Sequence, residues 1–329
     1  MNRHPTVTFL TVLLATVALV AACGGGSGPL GSVPVVPSSP APSVAQGSPD
    51  LTPAPSDQPS PLPSDQPSGS IDPGASVTPS ATPAPSGTTI VRAYFWLGGP
   101  TGSAGLVAVL REIPSTKSVA SAAVSALLAG PTAAETGRSI TTAVPDGSQL
   151  LGLSIANGIA TVDLSAEFES GGGSDSVLTR LGQMVYTLTQ FPAVKSVVFQ
   201  IEGVTSKTFS SEGVVLDKPV TRADYVALLP DIWVDRPAFN AAIGNPAHVT
   251  GNANVFEATF RIAILDASGK SIADVQVMAS CGTGCRGTFD TTIPYTVSKG
   301  QYGTLRAYNL SAKDGSVESV RDYRVWLTP

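Results

Sequence analysis

Four carboxylates, Asp163, Glu167, Glu169 and Asp175, crowd one stretch around Ser170-Gly171-Gly172-Gly173. Paired carboxylates of this kind can act as acid and base in glycoside cleavage, or can hold calcium. The stretch lacks EF-hand spacing. The plainer reading is therefore preferred: Asp163 ends a strand, Ser174 or Asp175 caps a helix, and the glutamates are solvated beside a mobile glycine loop. Other catalytic sets are missing. A serine nucleophile needs a base, yet the chain has no Gly-x-Ser-x-Gly elbow, and His248 is the one histidine beyond the N-terminal segment. The triple glycine is not followed by the Lys-Ser or Lys-Thr of a phosphate loop. No catalytic residue, metal ligand set or cofactor is expected. Cys281 and Cys285 frame Gly-Thr-Gly. In an exported chain such a pair reads first as a disulfide closing a tiny loop, since zinc would need two further ligands and CxxxC is not the redox CxxC spacing.

The aromatic residues Phe95, Trp96, Tyr186, Trp233 and Trp326 could line a carbohydrate platform, but they fall within periodic segments and read more simply as packing. Those segments come in a definite order. Strands are expected at Ile90–Leu97 and Leu106–Ile113, joined through Gly98-Gly99-Pro100. A short helix begins after Ser118, buries Val119, Ala123, Ala126 and Leu127, and stops at Gly130-Pro131. Leu150–Ile155 and Ile159–Leu164 flank Asn157-Gly158, a hairpin signal because a tight turn needs the positive φ these residues accept. Val177, Leu181, Val185 and Leu188 mark a second helix that Pro192 ends, and Val194–Ile201 is a last strand. The order ββαββαβ predicts an α+β fold, a sheet with both helices on one face. After residue 236 the rhythm changes to short strands alone: Val255–Ile264 with Phe256, Ala258, Phe260, Ile262 and Ile264 on one side, Ile272–Ala279, Thr304–Leu310 and Val320–Leu327. Such spacing points to an all-β immunoglobulin-like sandwich.

The N-terminus has its own logic. Arg3 precedes an apolar run from Phe9 to Val20 that is too short to span a bilayer and ends in Ala21-Ala22 before Cys23, which is the layout of a secretory signal peptide. From Gly24 to Thr89 the chain holds no Lys or Arg and repeats Pro-Ser-Asp-Gln-Pro-Ser at 55–60 and 63–68. Such a segment cannot bury enough apolar area to offset its ordering entropy, so a disordered tether is expected, with a reach of up to roughly 200 Å at about 3.1 Å per residue. With 24 acidic and 19 basic residues, net −5, the chain has no basic footprint for nucleic acid.

The Val-Ala-Ala-Cys ending resembles the lipobox of bacterial lipoproteins. That resemblance implies acylation of Cys23 with palmitate-class chains, cleavage before it, and a lipid-anchored place on the extracytoplasmic face of the membrane. In the first folded region, Leu127-Leu128-Ala129-Gly130-Pro131, Val144-Pro145-Asp146-Gly147, Ala160-Thr161-Val162-Asp163-Leu164-Ser165 with Phe168, and Val185-Tyr186-Thr187-Leu188-Thr189-Gln190-Phe191 together resemble the GerMN domain of sporulation and germination proteins. In the second, Val249-Thr250-Gly251-Asn252-Ala253, Phe256-Glu257-Ala258 and Ser311-Ala312-Lys313-Asp314-Gly315-Ser316 resemble Gmad2, an immunoglobulin-like module that often follows it. Asp224-Tyr225, Leu228-Leu229-Pro230 and Ile232-Trp233-Val234 resemble the joint between them. The expected organisation is a signal peptide at 1–22, a tether at 23–89, a GerMN-like domain at 90–217, a joint at 218–236 and a Gmad2 domain at 237–329. The resemblance implies a non-catalytic interaction or assembly module of the cell envelope, with a peptidoglycan- or glycan-binding lipoprotein as the alternative. Expected partners are the bilayer through acylated Cys23, an envelope protein or peptidoglycan, and a second copy through the GerMN-like domain. Asp163, Glu167, Trp96 and Trp233 are the candidate interaction residues.

Overall fold

A computed structural model describes residues 87–100 and 102–329; the signal peptide, Cys23 and nearly all of the expected tether lie outside the described residues. All described residues belong to one unit, Val77–Pro329.

The first domain begins with the ten-residue strands β1 (Thr88–Leu97) and β2 (Gly105–Pro114), paired antiparallel along their whole length. Then follow α1 (Val119–Leu128), the single-turn α2 (Ala133–Thr136) and β3 (Ile140–Thr141), which pairs only with the last two residues of β1. The hairpin β4 (Leu150–Ala156) and β5 (Ile159–Leu164) turns on Asn157 at φ 52° and Gly158 at φ 82°, the two positive values that match the twist of the strands. A 3-10 turn, Ala166–Glu169, leads to α3 (Ser174–Leu188), and β6 (Ser196–Ile201) returns parallel to β5. Short strands β7 (Val204–Thr205), β8 (Thr208–Phe209) and β9 (Val214–Val215) complete the domain.

The α+β class is as expected, but the strands form two main sheets, β2-β1-β3 and β4-β5-β6-β7, with a two-stranded β8-β9 ribbon, rather than one sheet. The reason lies along β1. Beyond β3, the free edge of β1 is taken up by side chains of α3 and of Gln190 just past its end. Gln190 accepts from Arg92 N at 2.9 Å and donates to Arg92 O at 2.7 Å. Thr187 Oγ1 accepts from Tyr94 N at 3.1 Å, and Gln183 Nε2 donates to Tyr94 O at 3.0 Å. Gln183 and Thr187 lie on one face of α3 and Gln190 follows just past its end, so this segment supplies the partners that another strand would have given and satisfies the backbone groups of β1.

The second domain is the expected sandwich. One sheet has the order β10-β12-β15, from Ile232–Arg236, Ala247–Ala253 and Gly287–Ile293; the other has β11-β17-β16-β13-β14, from Ala242–Ile243, Val317–Leu327, Gln301–Leu310, Thr259–Leu265 and Ser271–Met278. Residues 232–236, within the span expected as a joint, are thus a strand of this sandwich. The strand expected from Val255 starts late. Glu257 and Ala258 both take positive φ, which breaks the alternation and leaves Phe256 turned out to solvent at 58% exposure. Among the described residues no helix is long and apolar enough to cross a membrane.

Candidate functional site

The acidic stretch does not assemble into a reactive pair. Asp163 accepts a hydrogen bond from Gly203 N at 2.8 Å, bracing the turn that joins β6 to β7. Glu169 accepts from Ser206 Oγ and Ser210 N, each at 3.4 Å. Glu167 is exposed, and the Ser165 hydroxyl lowers its pKa. Asp175 is exposed in the first turn of α3. Among the described residues no three His, Cys, Asp or Glu side chains are placed to hold a metal.

Two readings of this stretch need correction. The cap of α3 is Gly173, not Ser174 or Asp175, and the glycine loop is gripped rather than mobile. Arg180, 1% exposed, donates to Phe168 O and Ser170 O at 2.8 Å and to Gly171 O at 2.6 Å. A guanidinium presents a fixed fork of donors, so one buried side chain holds three carbonyls of the loop. Burial lowers its pKa.

The aromatic candidates separate by burial. Trp96 is half-buried on the wall of a groove of about 260 Å³ with Thr141, Ala143, Asp175 and Thr179. Phe95, Tyr186 and Trp233 are interior. Trp233, on β10 of the second domain, packs against the first. Its Nε1 donates to Leu106 O at 3.0 Å, its ring meets Tyr186 edge-on at 5.6 Å, and Tyr94 lies 6.5 Å away. The Arg222 guanidinium stacks 4.6 Å from the centre of Tyr186 and donates to Thr189 Oγ1 at 2.7 Å. Tyr94 Oη donates to Asp235 at 3.0 Å, and Arg92 reaches the same carboxylate at 3.4 Å. Burial pushes the Tyr186 phenol up to about 12 and raises that of Tyr94, the latter helped by Asp235.

Sequence reasoning missed three features of this architecture. Arg321, 2% exposed on β17, donates across the domain boundary to the carbonyls of Ser103, Gly105 and Leu106 and to Tyr323 Oη. Nothing in a strand pattern marks which arginine will be buried. Glu135 was the second omission, and here a signal existed: Thr132-x-x-Glu135 is a capping box. Both of its reciprocal bonds form, and Glu135 then takes Arg111 bidentately at 2.7 Å through each oxygen. Burial alone would raise the Glu135 pKa; the bonds from Arg111 and Thr132 outweigh it and hold it below the usual carboxylate range. The third is the support given by the Cys281–Cys285 disulfide loop. Thr283 N donates to Val255 O at 3.0 Å, and Glu257 N donates to Thr283 Oγ1 at 2.9 Å, so the small ring braces the positive-φ turn that displays Phe256.

Residues 92–207 match the Germane family model, described as sporulation and spore germination. Residues 231–316 match Gmad2, described as the immunoglobulin-like domain of bacterial spore germination. No curated protein matches the sequence. Among solved structures, the chain is similar to the first GerMN domain of the sporulation protein GerM from Bacillus subtilis, at 22% identity over 41% of this chain and 99% of that one, TM-score 0.35. It is also similar to the tandem GerMN domains of the same protein, at 15% identity over 65% of this chain and 64% of that one, TM-score 0.36.

Proposed function

We propose, for a chain that carries a Germane domain followed by a Gmad2 domain, that it works as a non-catalytic interaction module held at the extracytoplasmic face of the cell membrane by acylated Cys23. The observation that carries this reading is the use to which the buried polar side chains are put. Gln183, Thr187 and Gln190 satisfy a strand edge, Arg180 holds a loop, and Arg321 and Trp233 hold one domain to the other. These are the investments of a rigid scaffold, whose value lies in presenting surfaces at a fixed geometry. The anchor is supported by the sequence around Cys23. Its partners in this reading are an envelope protein or a second copy through the Germane domain.

The test is to cross-link the intact protein in its native envelope and identify what is captured, with Cys23→Ala alongside. A defined membrane-protein partner lost in that variant supports the tethered module; capture of wall fragments alone overturns it.

A second reading, a glycan-binding lipoprotein, is favoured by one specific surface. Tyr302 and Trp326, 45% and 36% exposed, pack edge to face at 4.9 Å on neighbouring strands, and exposed aromatic faces suit stacking against sugar rings. Retention on purified cell wall that is lost in Trp326→Ala would support it, and absence of retention would end it.

A further inference from the structure

We infer that the cleft between the two domains is a binding site for an oxyanion, a phosphate or carboxylate group carried by a small extracytoplasmic ligand. The cleft has a volume of about 340 Å³, at the lower end of the range for small-molecule sites. Its walls come from both domains: the Gly98-Gly99 turn, Ser103 and Arg138 from the first, Arg321 and Arg324 from the second.

The charge on these walls is one-sided. Arg321 forms the buried floor and spends its donors on three carbonyls and one phenol, with no carboxylate in a salt bridge. Neither Arg138 nor Arg324 forms an ion pair among the described residues, whereas Arg92, Arg111, Arg261 and Arg306 each do. The acid on the lining is Asp322, and Arg306 already holds it through both oxygens, at 2.7 and 2.8 Å. Three arginines thus line a cavity whose one carboxylate is engaged elsewhere, in a chain of net charge −5. A concave site with low-dielectric walls concentrates such a field and raises the local concentration of anions.

The geometry of Arg324 adds a second argument. Its guanidinium lies 3.2 Å from the centre of the Tyr302 ring, and Nη1 donates to Asn240 Oδ1 at 2.7 Å. Stacked and tied in this way it gives up little rotamer freedom on binding, and its remaining donors keep the planar fork that matches phosphate and carboxylate oxygens. On the opposite wall the Ser103 hydroxyl is buried without a hydrogen-bond partner. Gly98 and Gly99 let the turn pack closely on Ser139 and Ser103, whose atoms lie 3.2–3.6 Å from where side chains on the two glycines would begin, which fixes this wall of the cleft.

The test is isothermal titration of the full mature chain with inorganic phosphate, and separately with acetate, at ionic strength held constant with chloride. Saturable binding with a Kd of about 1 mM or tighter is expected for at least one anion, weakened at least tenfold in Arg138→Gln and in Arg324→Gln. Both side chains lie at the cleft surface, and circular dichroism checks that the variants remain folded. A response to phosphate alone assigns a phosphoryl ligand; a response to acetate alone assigns a carboxylate. No saturable heat with either anion, or binding unchanged in both variants, overturns the site.

Discussion

At the scale of single residues, two of the four carboxylates that looked reactive, Asp163 and Glu169, hold backbone in place. Asp163 illustrates this: it was legible as a strand end, but its acceptor role depends on Gly203, forty residues away, which no local pattern supplies. Glu135 was legible through its capping box, yet its partner Arg111 lies on a strand and is reached only through the fold. Glu135→Gln removes the charge from a pair in which Glu135 is 5% exposed. A loss of about 3 kcal/mol in urea unfolding is expected, because the Arg111 charge is left uncompensated. The pH dependence follows from the direction of the shift. With the folded pKa depressed, the contribution of Glu135 is complete above the ordinary glutamate value of about 4.3 and is lost as pH falls through the folded value. Acid unfolding of the Gln variant should therefore show a shallower slope in that window. Tyr186 acts at the other end of the scale. Its folded pKa of about 12 exceeds the ordinary value of 10.0, so the native state binds more protons between the two. Its contribution is full below pH 10 and lost as pH rises through 12. Tyrosinate absorbance at high pH should rise together with loss of near-UV dichroism, and a phenol that ionises earlier without unfolding would contradict this burial.

At the scale of elements, helices α1 and α3, the Asn157-Gly158 hairpin and the paired long strands β1 and β2 were legible because periodicity and turn chemistry are local. The division into two sheets was not. It depends on Gln183, Thr187 and Gln190, which by composition are unremarkable helix residues. Their meaning comes from sitting 0% exposed or half-buried against Arg92 and Tyr94. Replacing Gln183 by Leu keeps the volume and removes the donor to Tyr94 O and the acceptor for Ala143 N. Each orphaned buried group costs about 1–3 kcal/mol, so a loss of about 2–4 kcal/mol is expected. Hydrogen exchange read residue by residue should accelerate at Ala143, with Thr187→Val doing the same at Tyr94. The second domain shows the converse failure. Alternation from Phe256 onward was a real pattern, but Glu257 and Ala258 at positive φ override it, a conformation held by the disulfide-bonded ring and by the backbone bonds of Ala258 with Val255 and Ala279.

At the scale of the whole molecule, composition and family resemblance made two domains legible, but not how closely they are joined. Buried residues of both form one continuous core, and Phe239 N of the second domain donates to Ala108 O on β2 of the first at 2.8 Å. Residues 87–329 should accordingly unfold in a single transition. Trp233→Ala removes both the indole volume and the bond to Leu106 O. A loss of about 3–5 kcal/mol is expected, and calorimetry should show either one lowered peak or its splitting into two. Two independent peaks in the unaltered protein would contradict the shared core. The described chain begins at Gly87, whose carbonyl accepts from Ser115 N at 3.0 Å beside the first rung of β1 and β2. If the protein is held from the membrane at one end and grips a partner at the other, tension enters at this point and runs along β1. A strand drawn lengthwise past its partner must break its rungs together rather than one after another. For a pull along the strand axis, the ten register pairs joining β1 to β2, reinforced by the clamps of Thr187 and Gln190, form a mechanical attachment loaded in shear, suited to bearing a sustained pull without letting the head unravel.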